Sequence, residues 1–176
     1  MKTKKQEELI NEFISTMSAF GDEIGPLYKE IILYLSELGY NPQKQRSYIV
    51  FKHDRHNKQM AKTGIRINRD KSPFFALRFS ACRGYSQRFA DIVGAAVSAD
   101  GFSEANCLNG KCGYCAGEPD THVYKYTLPN GETKAHCGAV ALEIPDITAN
   151  DIEEIKKLIK EEHEYLLKHQ IGVSQI

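Results

Sequence analysis

The spacing of apolar residues predicts two amphipathic helices at the start of the chain. Apolar side chains over residues 7–20 recur every three or four positions, which gathers them on one face of a helix. A second stripe with the same spacing runs over residues 26–38. Pro26 suits the first position of that helix, because a proline there loses no hydrogen bond. Gly39 and Pro42 then predict its end.

After the second helix the pattern changes from helical spacing to alternation. Three segments rich in β-branched and aromatic residues, 47–53, 59–68 and 74–80, are separated by short polar turns. Such segments are typical of antiparallel strands joined by turns. Helical spacing returns over residues 85–99, which predicts a middle helix that ends at Asp100-Gly101.

A loop rich in cysteine and glycine, residues 106–119, is followed by a predicted β-hairpin. Its strands are expected over residues 122–127 and 132–137, because the Leu-Pro-Asn-Gly sequence between them favours a turn. Residues 140–144 are either a further strand or a continuation of the hairpin.

The chain is predicted to end in a helix that runs to His169. Thr148 suits the N-cap position, and Asp151 three residues later can complete a capping box. Ile152, Ile155 and other apolar residues then recur at helical spacing.

Strands in runs, with helices outside them, indicate the α+β class. We therefore expect a mainly antiparallel sheet with N-terminal, middle and C-terminal helices and a small Cys-rich metal-binding hairpin. A length of 176 residues suits a single domain, 1–176. Three parts are expected within it, an α+β body, a Cys-rich zinc-binding lobe and a C-terminal helix that packs on the lobe, over residues 1–100, 101–147 and 148–176.

The composition is that of an ordinary globular protein, with 41% apolar and 26% charged residues. No apolar run approaches the roughly 20 residues that span a bilayer. The charged start of the chain lacks the apolar segment of a secretory signal, so we expect a cytoplasmic protein without a membrane partner. Thiols are kept reduced in the cytoplasm, which makes clustered cysteines metal ligands or redox groups before disulfides.

The net charge is zero, but the charge is segregated along the chain. Residues 41–90 carry twelve Lys and Arg against two Asp, a balance of +10, whereas residues 1–40 carry −3 and residues 91–176 carry −7. A basic middle between acidic ends indicates a surface that faces anions.

Four of the five cysteines lie within 31 residues, in a C-x4-C-x2-C segment with a fourth thiol 22 positions later. A C-x2-C pair with glycines at its turn can aim both sulfurs at one point. The predicted hairpin would return the fourth cysteine to the loop, which completes a tetrahedron of sulfurs around a structural Zn²⁺. The predicted ligands are Cys107, Cys112, Cys115 and Cys137.

The arrangement resembles a zinc ribbon in part, since one C-x2-C knuckle is present and the other arm reads His136-Cys137. That leaves a Cys3His site as an alternative, in which His122 or His136 replaces Cys107.

The same cysteines also resemble the cluster-binding loop of plant-type ferredoxins. That loop reads C-x-x-G-x-C-x-x-C-A-G, and the resemblance implies a [2Fe–2S] cluster on the four cysteines. The predicted hairpin between the third and fourth cysteines favours zinc over this alternative. A dithiol redox site at the C-x2-C pair is a third interpretation, although the Ala-Gly-Glu-Pro that follows does not start a long helix. The residues that match the ferredoxin pattern are Cys107, Gly110, Cys112, Cys115, Ala116 and Gly117.

Bases alternate with aromatic residues in the basic middle of the chain. If one face of the predicted strands is exposed, its cations can bind an anionic small molecule or nucleic acid. The competing interpretation is that the aromatics are core and the bases are solvated. The predicted ligand-binding residues are Lys62, Arg66, Arg78 and Arg83.

Nothing in the sequence predicts catalysis. It contains no Gly-rich phosphate loop, no nucleophile elbow and no H-E-x-x-H motif. Four thiolates would also fill the coordination sphere that a catalytic zinc keeps open. Cys82 is predicted to be a small core residue, and His53 and His56 to be exposed in a turn. We therefore expect a binding module whose ligand the sequence does not identify.

Overall fold

The computed structural model describes residues 3–67, 71–79, 82, 84–102 and 123–170. It is α+β, as predicted, and its main sheet is antiparallel. No helix in the described part of the chain is long and apolar enough to cross a membrane. In chain order the elements are α1 (Lys4–Met17), α2 (Ile24–Glu37), β1 (Tyr40–Gln45), β2 (Tyr48–His53), β3 (Gln59–Arg66), β4 (Ser72–Leu77), α3 (Gln87–Ser98), β5 (Val123–Thr127), β6 (Thr133–Cys137), β7 (Leu142–Glu143) and α4 (Ile152–Gln170).

The chain divides into two compact units, each made of two segments. The first consists of Met1–Leu77 and Glu143–Ile159, and the second of Arg78–Leu142 and Lys160–Ile176. The predicted division at residues 100 and 147 remains a prediction.

In the first unit, α1 and α2 bury their apolar stripes and pack on each other and on β1. Thr3 caps α1 through a capping box: its hydroxyl accepts from the Gln6 backbone amide at 3.3 Å, and its own amide donates to the Gln6 side chain at 3.1 Å. Pro26 lies third in α2 rather than first. It is still in the first turn, where the missing N–H has no partner to lose.

Five strands form one sheet in the order β1-β2-β3-β4-β7. The sequence predicts the three central strands but not β1, because Pro42 shortly after Gly39 predicts the end of a helix. Pro42 lies opposite Phe51 in the register, on a strand at the edge of the sheet. A proline fits there, since only one side of an edge strand has to supply hydrogen bonds.

The segment 140–144 contributes β7 to this sheet rather than lengthening the hairpin. The Ile144 amide donates to the Phe75 carbonyl at 2.9 Å beside it. The capping box predicted at the start of the last helix is also confirmed: both the amide and the hydroxyl of Thr148 donate to Asp151, at 2.8 and 3.0 Å.

The core of the first unit brings aromatic side chains of α2 and β4 together. Tyr28 is 5% exposed and meets Phe75 edge-to-face, with ring centroids 6.3 Å apart. Burial raises the pKa of the Tyr28 phenol from 10.0 to about 12, because the phenolate loses its hydration there.

We therefore expect alkaline pH to destabilise the first unit through Tyr28. The unfolded chain ionises this tyrosine above pH 10 and the folded chain only near pH 12, so the stabilisation is complete below pH 10 and is lost between these values. The free energy of unfolding should fall by about 2 kcal/mol by pH 12. Urea titrations at a series of pH values should show this loss in the wild type and a flatter profile in Tyr28→Phe. An equal slope in both proteins would contradict the assignment.

In the second unit, α3 packs on the hairpin formed by β5 and β6. Gly94 permits the close approach, since a Cβ at this position would lie 2.5 Å from the Tyr126 hydroxyl. Phe79 is buried in the same unit and meets Tyr85 and Phe89 edge-to-face. Cys82 is buried as predicted, with 1% exposure.

Candidate functional site

Three of the predicted zinc ligands, Cys107, Cys112 and Cys115, lie outside the described residues, as does His122. The fourth, Cys137, is the last residue of β6. Within the described ranges no group of three His, Cys, Asp or Glu side chains could hold a metal ion. The zinc site and its [2Fe–2S] alternative therefore stay predictions. Of their four cysteines, the structure describes the surroundings of Cys137.

The hairpin that carries Cys137 forms as the sequence predicted. Its turn is closed by the Leu128 amide, which donates to the Glu132 carbonyl at 2.7 Å, and Gly131 adopts a φ of 84°. A left-handed residue of this kind is what a glycine in a hairpin turn supplies. The register runs from Thr127 opposite Thr133 to Val123 opposite Cys137.

This register returns Cys137 to the open end of the hairpin. Its partner Val123 follows Cys115 by eight positions in the chain. The Cys137 side chain is half-buried and packs against Val123 and Ala135, and its thiol is not in a disulfide. The end of β6 therefore places one thiol opposite Val123, which follows the Cys-rich part of the sequence.

His136 points to the opposite face of the hairpin from Cys137, because successive residues of a strand alternate. Its ring is 3% exposed and stacks on Phe102, with centroids 6.3 Å apart. Burial lowers the pKa of His136, which favours the neutral ring. Of the two histidines that could replace a cysteine ligand, His136 therefore lies on the wrong face to share an ion with Cys137.

The predicted anion-binding cations of the first unit are partly engaged. Arg66 forms an ion pair with Glu143, and its guanidinium lies over the Phe74 ring, 5.5 Å from the centroid. Lys62 is half-buried in β3. Lys62 and Arg66 lie on the same face of β3, but the charge of Arg66 is already paired with the Glu143 carboxylate.

The other two predicted cations belong to the second unit. Arg83 lies outside the described residues. Arg78 lies beyond the end of β4 and is 6% exposed, and its Nε donates to Glu162 at 2.5 Å. The exposed strand face on which the prediction depended is therefore not present at Arg78.

His53 and His56 form a stacked pair that sequence reasoning missed. The predicted exposure is wrong for His53, which is 5% exposed, and the two rings lie parallel with centroids 4.0 Å apart. The amides of Arg55 and Lys58 donate to the two Nδ1 atoms at 3.2 and 3.1 Å. Each Nδ1 is therefore engaged by a backbone amide of the turn between β2 and β3. The stacked rings and their backbone contacts explain the pair as part of the packing of this turn.

No protein-family model, curated protein or solved structure matches this chain. Its function therefore has to follow from the chemistry of its own side chains.

Proposed function

We propose that this protein binds one Zn²⁺ ion through the thiolates of Cys107, Cys112, Cys115 and Cys137, as a closed structural site in a small binding module. The hairpin register supports the proposal, because it pairs Cys137 with Val123, which follows the Cys-rich part of the sequence. Four thiolates at about 2.3 Å satisfy the tetrahedral preference of zinc and leave no position for a substrate.

Zinc bound at this site would stabilise the folded chain. A metal held by residues far apart in sequence closes the loop between them, so its binding free energy becomes folding free energy for the second unit. A Cys3His set that uses His136 is disfavoured, since Cys137 and His136 point to opposite faces of β6.

The test is elemental analysis of protein purified without oxygen or chelator. We expect about one zinc per chain, a colourless protein, and cobalt substitution that gives the intense visible bands of a tetrahedral thiolate site. Cys137→Ser should weaken zinc binding by at least about tenfold, which a competition titration with a coloured chelator measures.

Cys82→Ser is the matched control, because Cys82 is a buried thiol of the same unit outside the proposed set. It should keep the zinc content of the wild type. Iron and sulfide with strong visible absorption would overturn zinc in favour of the [2Fe–2S] alternative. Protein without any metal would overturn both.

A further inference from the structure

A groove with a volume of about 560 Å³ opens beside α1 in the first unit. One wall is α1 with the helical turn Ser18–Phe20, and the floor is Ile49 and Ile65, at the ends of β2 and β3. These two isoleucines share a sheet face, because Ile49 pairs with Thr63, two residues before Ile65. The volume lies within the range of about 300–1,000 Å³ that small-molecule sites occupy.

The wall of this groove is formed by apolar side chains of α1 and of the helical turn that follows it. Leu9, Phe13 and Phe20 line it. Leu9 and Phe13 are four residues apart on one side of α1, and Phe20 lies in the following turn, Ser18–Phe20. From Leu9 to Phe20 the wall runs about 17 Å. At the mouth of the groove stands Ile67, which is 75% exposed. Among the large apolar side chains that line the groove, Ile67 is the exposed one, whereas Leu9 and Phe20 are half-buried and Phe13 is buried.

The rim of the groove is positively charged. Lys44, Arg46 and Lys71 line it together with one acid, Glu12. All three cations are exposed, and none forms an ion pair with a carboxylate of the described residues. Lys44 lies on β1 opposite Ile49, and Arg46 lies in the turn two residues later, so both cations line the β1 end of the groove. Lys71 adds attraction from the far side of the floor.

Arg46 occupies a backbone conformation that does not suit it. It is the first residue of the two-residue turn between β1 and β2 and has a φ of 49°. Glycine, asparagine or aspartate is favoured at such a position, and another L-residue there costs about 1–2 kcal/mol. A strained residue of this kind is a sign of function when its side chain lines a cavity.

We propose that this groove binds an amphipathic anion with a single alkyl chain, of which a fatty carboxylate is the type. The chain would lie along Leu9, Phe13 and Phe20, and the carboxylate would meet Lys44 and Arg46. A wall of about 17 Å matches the length of an extended chain of roughly a dozen carbon atoms. The inference is independent of the zinc proposal, because every lining residue belongs to the first unit.

Calorimetric titration of the full chain with dodecanoate, dodecanol and dodecyltrimethylammonium separates the contributions of chain and charge. Dodecanoate and dodecyltrimethylammonium are used below their critical micelle concentrations, and dodecanol below its solubility limit. Dodecanoate should bind most tightly, by about tenfold over the cationic probe, and should weaken as salt rises, because exposed charges are screened. Equal binding of the three probes would overturn the assignment of Lys44 and Arg46.

Two sets of variants locate the site. Lys44→Gln and Arg46→Gln should each weaken dodecanoate binding by about 2–5-fold while dodecanol binding is unchanged. Lys29→Gln, an exposed cation of the same unit on α2, is the control and should change neither. Thr16→Trp fills the groove from an exposed position of the wall and should weaken both ligands by at least about tenfold.

Ser15→Trp is the matched control for the last variant, because Ser15 is exposed on α1 next to Thr16 but does not line the groove. It should bind both ligands as the wild type does. Undiminished binding to Thr16→Trp, or absence of dodecanoate binding to the wild type, would overturn the proposal. Binding of an acidic amphipathic peptide in place of dodecanoate would also overturn it and would identify a protein-docking surface.

Discussion

Replacing Glu162 by glutamine should lower the free energy of unfolding of the second unit by about 3–5 kcal/mol. Glu162 is fully buried in α4, and its carboxylate accepts from the Nε of the buried Arg78. Glutamine keeps the volume of the side chain but removes its charge. The guanidinium that remains cannot lose its proton, so it stays charged in a place that water does not reach.

Two controls separate the charge from the position. Lys160 and Glu164 form an exposed pair at 4.0 Å on the same helix, and Glu164→Gln should cost less than about 0.5 kcal/mol. The double variant Arg78→Met with Glu162→Leu should regain stability to within about 1 kcal/mol of the wild type, because apolar residues of similar size replace both charges. Hydrogen exchange of α4 and of the hairpin, with urea unfolding, measures each. A double variant as unstable as Glu162→Gln would show that packing rather than charge dominates.

Phe75→Ala should cost the first unit about 3–5 kcal/mol. Phe75 is fully buried in β4, and its ring covers one edge of the Tyr28 ring. Removal of the ring leaves a cavity beside the phenol, since a packed interior relaxes only in part. The pKa of Tyr28 should then fall from about 12 towards 10.0 if water enters the cavity. Urea unfolding gives the stability, and ultraviolet titration of the phenol gives the pKa.

Phe74→Ala is the matched control in the same strand. Phe74 is half-buried and lies on the opposite sheet face, beneath the Arg66 guanidinium. Its removal should cost about 1–2 kcal/mol and leave the pKa of Tyr28 unchanged. Equal losses in the two variants would contradict the core position assigned to Phe75.

Local patterns were sufficient to predict most elements of this fold. The hairpin followed from its Leu-Pro-Asn-Gly turn, and the helices followed from apolar stripes and the Thr148 cap. The failures occurred where tertiary context decides. A proline shortly after a helical pattern is a signal for the end of a helix. Pro42 instead occupies an edge strand, which only the order of the strands reveals. Alternation of Phe75, Leu77 and Phe79 predicted a strand to residue 80, whereas β4 ends at Leu77.

The candidate sites divide in the same way. The cysteine spacing is a local signal, so it identified the proposed zinc ligands, and the hairpin register follows from the turn. The partner of Arg78 lies 84 residues away, so no window of sequence could show that this cation is buried and neutralised. The groove could not be predicted because Leu9 and Phe20 line it together with Ile49, which is distant from them in sequence. One signal was present: Arg46 stands in a two-residue turn without glycine, asparagine or aspartate.

Strand β1 has a consequence for how these molecules behave in crowded solution. It ends the sheet, and no described strand pairs with its outer side. The unpaired backbone groups of such an edge can pair with a strand of another molecule. A proline, which has no N–H, and a charged lysine both oppose that pairing. Pro42 and Lys44 supply the two features within three residues. The lysine that we propose to meet the carboxylate would therefore also discourage edge-to-edge association between copies of the protein.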